Sequence, residues 1–228
     1  MCSGDCTPLY YAAQNGHLEV CEHILEWIEN KNPMNKSGRT PLHQAALEGH
    51  LEICELIVMH HEDKNPGSEK DGHTPLHFAA SKGHLAVCKY LITFLGNKNP
   101  ENNSGWTPLH SAAFNGKLEV CRFIMEYLVN KNPGRNDGYT PLHAAAGKGH
   151  SKVYELIMKS LENKNPAKLE GKTSLHLAAR NGHKEMCELI LENTDNKMPE
   201  DHNGKTPAML ALENKHFVLS LILINSHL

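Results

Sequence analysis

Long apolar runs are missing from this sequence. Apolar types make up 39% of its 228 residues, and none gathers into the run of about 18 that a membrane-spanning helix needs. An excess of charge of one sign is missing too. Twenty-three basic residues stand against 26 acidic ones, for a formal net charge of −3. Nucleic-acid binding normally calls for a basic domain or stripe, so the composition makes no electrostatic case for it. No Ser/His/Asp set, carboxylate pair or phosphate-cradling glycine loop stands out, which leaves catalysis without machinery. Met1 to Cys6 is short and polar, so no secretory signal is expected.

What the chain has instead is repetition. The phrase TPLH, or a near variant, begins at Thr7, Thr40, Thr74, Thr107, Thr140, Thr173 and Thr206, with steps of 33, 34, 33, 33, 33 and 33 residues. A period of this length marks units too small to bury their apolar faces alone, which must stack on their neighbours. The units run at about 5–37, 38–71, 72–104, 105–137, 138–170, 171–203 and 204–228, as one repeat domain over 1–228.

The second unit shows the grammar. Thr40 is a helix N-cap, and Pro41 suits the first helical position, where no N–H is needed. His43, three residues after Thr40, is placed to reach back as the second partner of a capping box. Leu42, Ala45 and Ala46 follow at helical spacing, and Gly49 ends this short helix in a tight turn. Leu51, Cys54, Ile57 and Val58 form the apolar stripe of a second helix, which Asn65-Pro66 stops.

These residues, with TPLH, paired alanines and a Gly-His turn in most copies, closely resemble the ankyrin-repeat family from Thr7 to about Ser226. The resemblance implies an all-α solenoid of helix-turn-helix units with projecting hairpin loops. It also implies a concave face, made by hairpin tips and first helices, that commonly binds proteins. One departure is regular. Where the family ends its second helix with a Gly-Ala-Asp type turn, this chain has Ile28-Glu29-Asn30, Leu128-Val129-Asn130 or Leu161-Glu162-Asn163. An Asn-Lys-Asn-Pro element follows at Asn30 to Pro33, Asn97 to Pro100, Asn130 to Pro133 and Asn163 to Pro166, with variants at Asp63 to Pro66 and Asn196 to Pro199. Without the glycine, the second helix is expected to run about a turn longer, with a left-handed Asn as its cap. The loop near Gly67 is one residue longer than the others and is expected to bulge.

Histidines and cysteines suggest metal chemistry, but their positions are structural. His43, His77, His110, His143 and His176 belong to the repeated phrase. His17, His50, His84, His150, His183 and His216 follow the turn. Zinc needs three or four ligands converging on one point, whereas equivalent slots form a row. Cys21, Cys54, Cys88, Cys121 and Cys187 share one slot. Successive layers lie about 8–10 Å apart, too far for disulfides, which need Cα atoms within about 7 Å. These thiols are expected to be reduced and buried, in a cytoplasmic, reducing compartment. Cys2 and Cys6 lack the second pair that a zinc site would require.

Slots that differ between repeats are free to read a partner. The residues singled out are Arg39, Gln44, Leu47, His73, Phe78 and Trp106, followed by Ser111, Phe114, Tyr139, Lys148, Lys172 and Arg180. Aromatics and arginine are the usual anchors of interfaces. The expected function is a non-enzymatic module that binds another protein or peptide on its concave face, with no cofactor, metal, nucleic acid or membrane insertion. The alternatives are a scaffold or spacer segment of a larger protein, including a membrane-associated or channel protein, and an artificial repeat scaffold. The apolar last helix, Phe217 to Ile224, is expected either to finish the stack against Asn225 to Leu228 or to mark a domain excised from a longer protein. A monomer is expected, with weak self-association through that helix as the lesser option.

Overall fold

The computed structural model describes residues 6–162, 166–167 and 170–226. The expectations for Cys2, for the Asn-Lys-Asn stretch at 163–165 and for the last two residues lie outside that set. Among the described residues there are fourteen α-helices and no strand, only an isolated bridge between Ala167 and Thr173. The first helices of the repeats are α1 Pro8–Gln14, α3 Pro41–Glu48, α5 Pro75–Lys82, α7 Pro108–Phe114, α9 Pro141–Lys148, α11 Ser174–Arg180 and α13 Pro207–Glu213. The second helices are α2 Leu18–Trp27, α4 Leu51–His60, α6 Leu85–Thr93, α8 Leu118–Glu126, α10 Ser151–Met158, α12 Lys184–Glu192 and α14 Phe217–Asn225.

The chain forms two compact units, Met1–Ala112 with Glu126–Leu128, and Ala113–Met125 with Val129–Leu228. In the first, α1, α3 and α5 stack side by side, backed by α2, α4 and α6. In the second, α9, α11 and α13 stack likewise, backed by α10, α12 and α14. Helices this short are marginal in isolation, so their stability comes from packing. The repeated Leu and Ala slots supply it: Leu42, Leu76, Leu142 and Leu175 are 0% exposed, as are Ala45, Ala79, Ala145 and Ala178. The five repeat cysteines are free and buried, and Tyr154 and Ser220 fill their slot in the remaining described repeats.

Two sets of histidines fasten one layer to the next within each unit. The first is the capping-box histidine. The Thr40 N–H donates to His43 Nδ1 at 3.0 Å, and the pattern recurs at Thr74–His77, Thr107–His110, Thr140–His143 and Thr173–His176. The far side of the ring reaches the next repeat. Nε2 of His43, His77 and His176 donates to the carbonyls of His73, Trp106 and Lys205, each at 2.9 Å. The second is the turn histidine. His84 Nε2 donates to the Leu47 carbonyl at 3.0 Å, and His50, His150 and His183 bond Gln14, Phe114 and Gly147 in the same way. The ring lies against the preceding turn, where Gly49 is left-handed (φ 85°). A Cβ on Gly49 would come within 2.5 Å of His84 Nδ1, so backbone and neighbour both demand glycine there. In the seventh repeat Lys215 adopts the same conformation with φ 66°.

The Asn-Lys-Asn-Pro element corrects the sequence expectation. The second helices do not gain a turn: they are 8 to 10 residues long. No asparagine caps them in the left-handed region, since among the described residues Lys215 is the only non-glycine with positive φ. Each residue of the element has a different task instead. The first side chain makes an Asx turn, as Asn97 Oδ1 accepts from the Asn99 N–H at 3.0 Å. The lysine folds back onto the open carbonyls of the helix end: Lys31 to Leu25, Lys64 to Val58 and His61, Lys98 to Ile92, Lys131 to Met125. A cation there also favours the negative end of the helix dipole. The second asparagine reaches forward, and its Oδ1 accepts from the free N–H of the TPLH leucine. The pairs are Asn32–Leu42, Asn65–Leu76, Asn99–Leu109 and Asn132–Leu142, at 2.9 to 3.1 Å.

The loops that follow close with one backbone bond to the carbonyl of the residue before Thr. Asn102 N–H donates to the Trp106 carbonyl across four residues at 2.8 Å, whereas Ser68 N–H reaches His73 across five at 2.9 Å. The insertion near Gly67 is therefore absorbed as a wider turn, in agreement with the expected bulge. On α14, Leu219, Ser220 and Leu223 are buried, while Phe217, Val218 and Leu221 are 60%, 71% and 62% exposed.

Two stability predictions follow from the caps. Asn99→Ala leaves the buried Leu109 N–H without an acceptor and should lower unfolding free energy by about 1–3 kcal/mol in urea titration. Asn99→Asp keeps the acceptor and should hold most of that stability. Lys215→Gly relieves a left-handed lysine and should raise stability by about 1 kcal/mol.

Candidate functional site

The slot before each Thr contributes to the stack through its backbone. The carbonyls of His73, Trp106 and Lys205 receive the capping histidines, so their side chains are spared that duty. In the first unit two such side chains, His73 and Trp106, lie close to aromatic and imidazole rings. Phe78 is half-buried, with the Arg39 guanidinium 4.7 Å from its ring centre and the His43 and His73 rings 5.8 and 5.9 Å away. His73 Nδ1 lies 2.9 Å from an Asp71 carboxylate oxygen, and Asn102 Nδ2 is 3.1 Å from its Nε2. Burial alone would raise the Asp71 carboxyl, but the Ser68 hydroxyl and the His73 N–H and ring hold it at about 2. Trp106 is also half-buried. Its indole Nε1 donates to Ser111 Oγ at 2.8 Å, and its ring lies over His110 at 5.1 Å.

Two of the predicted positions face inward. Gln44 is 5% exposed, accepts from the Tyr10 hydroxyl and donates to Glu48. Ser111 is equally buried beneath Trp106. Both serve the stack's polar interior and present little to a partner. Leu47 is half-buried, with its carbonyl held by His84.

The second unit contains a pocket of about 350 Å³ lined by Phe114, Tyr139, Gly147, Lys148, Leu177, Asn181 and His183. Tyr139 stacks on His143 at 5.7 Å, with the Arg135 guanidinium 5.4 Å from its ring. Burial pushes the Tyr139 phenol up to about 12, with Arg135 opposing and Asp137 adding to the rise. Lys148 is exposed and places Nζ 4.4 Å from the centre of the Phe114 ring. Asn181 Nδ2 donates to the Gly147 carbonyl at 2.9 Å. A second hollow of about 410 Å³ contains Lys172, Arg180, Lys205 and Glu213. Lys172 pairs with Glu170 and Lys205 with Glu213, both at 2.8 Å. The predicted residues thus fall into two sets: Arg39, His73, Phe78 and Trp106 in one unit, and Phe114, Tyr139, Lys148, Lys172 and Arg180 in the other. Gly147, Leu177, Asn181 and His183 were not predicted. The signal for them was a small side chain, Gly147, in a slot where the adjacent repeats carry Phe114 and Arg180.

The cysteines of the repeat slot are packing groups. Burial pushes the Cys21 thiol up to about 11 and those of Cys88, Cys121 and Cys187 to about 12, so they remain protonated packing groups. Cys6 is disulfide-bonded, which departs from a uniformly reduced set and removes its sulfur as a metal ligand. Among the described residues no group of three His, Cys, Asp or Glu could hold a metal ion, and no helix is long and apolar enough to cross a membrane.

Stacked helix pairs fastened by capping and turn histidines define the class, a repeat solenoid of helix-turn-helix units. The profile of ankyrin repeats, three copies at a time, matches residues 2–68, 59–133, 94–168, 124–201 and 156–227. The chain belongs to the ankyrin-repeat family. No curated protein matches it significantly.

The capping histidines make stability depend on pH. Burial lowers His43 to about 4 and His77 to about 3, with their carbonyl bonds partly opposing the shift. Their Nδ1 atoms accept from the Thr backbone N–H, so an added proton would break that bond. An unfolded histidine titrates near 6.5. Below that pH the unfolded chain takes up protons that the folded chain refuses. Stability should be full above about pH 6.5 and decline as pH falls toward 4, by up to about 3 kcal/mol for His43 alone. Thermal melts from pH 7.5 to 4 test this. His77→Gln, which keeps a capping-box side chain, should flatten the slope.

Proposed function

We propose that this chain is a non-enzymatic recognition module whose first helices and loop feet hold a partner protein or peptide on a concave face. Ankyrin repeats are in general protein–protein interaction modules. The observation that carries the reading for this chain is the division of labour at the slot before Thr. At His73, Trp106 and Lys205 the backbone carbonyl there fastens the stack, while across the repeats the side chain of the slot varies as Arg39, His73, Trp106, Tyr139 or Lys172. A fold that needed these side chains would not accept a guanidinium, an imidazole and an indole in one position. Aromatic and arginine side chains held half-exposed in fixed rotamers are what interface hot spots require. Five free, buried thiols favour a reducing, cytoplasmic setting, and the disulfide at Cys6 speaks against it.

Selection of a randomised peptide display library on the purified chain supplies ligands for the test. Phe78→Ala, Trp106→Ala or Tyr139→Ala should each weaken a selected ligand by about 2 kcal/mol or more in calorimetry, while Tm moves by only a few degrees. If Tm collapses and the folded fraction binds as before, these rings belong to the core, and a spacer or scaffold role takes the place of recognition.

A further inference from the structure

At two slots the fifth repeat carries smaller side chains than the repeat after it. At the fourth residue after Thr it has Ala144, against Leu177 and Leu210 in the next two repeats. At the seventh it has Gly147, between Phe114 of the preceding repeat and Arg180 of the following one. The backbone does not ask for this glycine. Gly147 lies within α9, and it is not among the positive-φ residues. Packing does not ask for it either. A Cβ built there would meet Leu177 Cβ at 3.7 Å, Asn181 Nδ2 at 3.8 Å and Tyr139 Oη at 3.9 Å, all ordinary contacts. This sets it apart from Gly49 and Gly149, where a histidine ring fills the same space. Glycine weakens a helix relative to alanine, so α9 loses stability here with no structural return.

What the missing side chain provides is room. Gly147 forms part of the lining of the pocket of about 350 Å³ whose apolar walls are Phe114, Tyr139 and Leu177. That volume is at the small end for a ligand site and suits one side chain better than a cofactor. The charge around it is unbalanced. Lys148, in the lining, sits over the Phe114 ring and forms no ion pair among the described residues, and neither does Arg180, which occupies the equivalent slot of Gly147 one repeat on and lines the second hollow with Asp201 and Glu213. By contrast Lys172 and Lys205 are already neutralised by Glu170 and Glu213. We infer that the pocket over Gly147 receives one large apolar side chain from an acidic peptide segment, whose carboxylates meet Lys148 and Arg180. The inference rests on the reading of the chain as a recognition module and gives that module a partner chemistry.

The randomised peptide library, selected on the intact chain, tests this. Sequences enriched on wild type should share a large apolar residue flanked by Asp or Glu. Gly147→Leu should fold, as circular dichroism and a melt will show, and should lose the enriched peptides by about thirtyfold or more. Gly147→Ala should raise Tm while reducing binding less. Lys148→Glu, an exposed change that keeps the apolar walls Phe114, Tyr139 and Leu177, should weaken binding about tenfold at low salt and less at high salt. Enriched peptides without the acidic and apolar pairing overturn the inference. So do peptides that bind Gly147→Leu and Lys148→Glu as they bind wild type. If such peptides are lost on Phe78→Ala or Trp106→Ala instead, the pocket is wrong and the recognition reading stands. If wild type enriches nothing, the recognition reading fails and the inference falls with it.

Discussion

Buried imidazoles that must stay neutral fasten successive layers within each unit of this protein. His43 accepts at Nδ1 from the N–H of its own cap and donates at Nε2 to a carbonyl 30 residues further on. Only the neutral Nε2–H tautomer can do both. One side chain therefore starts a helix and positions the following repeat. A carboxylate or amide in the same slot could complete the capping box, but it would be too short to serve as the bridge. The turn histidine adds a second bridge, from His84 to Leu47 in one instance. Its ring occupies the volume that a side chain on the preceding turn would need, which couples the glycine of one repeat to the histidine of the next.

Because the bridges end on carbonyls, side-chain identity and structural duty are separated. The slot before Thr can change from histidine to tryptophan to lysine with the stack bonded the same way. The Asn-Lys-Asn-Pro element extends the same economy to the connection between repeats. Its lysine closes the outgoing helix, its second asparagine opens the next one, and neither needs an unusual backbone. In the second unit the fifth repeat uses this freedom to remove side chains, and the space left over Gly147 is walled by residues from the repeats before and after it.

Much of the fold was legible because the period itself reports it. Thr, Pro, Leu and His at fixed spacing name the first helix and its cap, and the capping box at Thr40 and His43 is found as expected. The Leu, Ala and Cys slots name the core. The ends of the second helices were misread. The missing glycine suggested a longer helix with a left-handed asparagine, whereas Lys98 and its equivalents satisfy the carbonyls from outside the helix. A six-residue reach by a flexible side chain leaves no trace in hydrophobic spacing. Of the proposed partner-reading residues, Phe78, Trp106 and Tyr139 are half-exposed, while Gln44 and Ser111 turn inward because buried Tyr10 and half-buried Trp106 each needed a polar partner.

The sequence alone determined the repeat, its caps, its core slots and the positions free to vary, because each of these is a local choice made seven times over in the same register. The pocket over Gly147, the bridges from ring to distant carbonyl and the inward turn of Gln44 were decided only by the tertiary structure. Each depends on what an adjacent repeat places within a few ångströms, and residues 30 or more positions apart carry no mark in the chain of which of their atoms will meet.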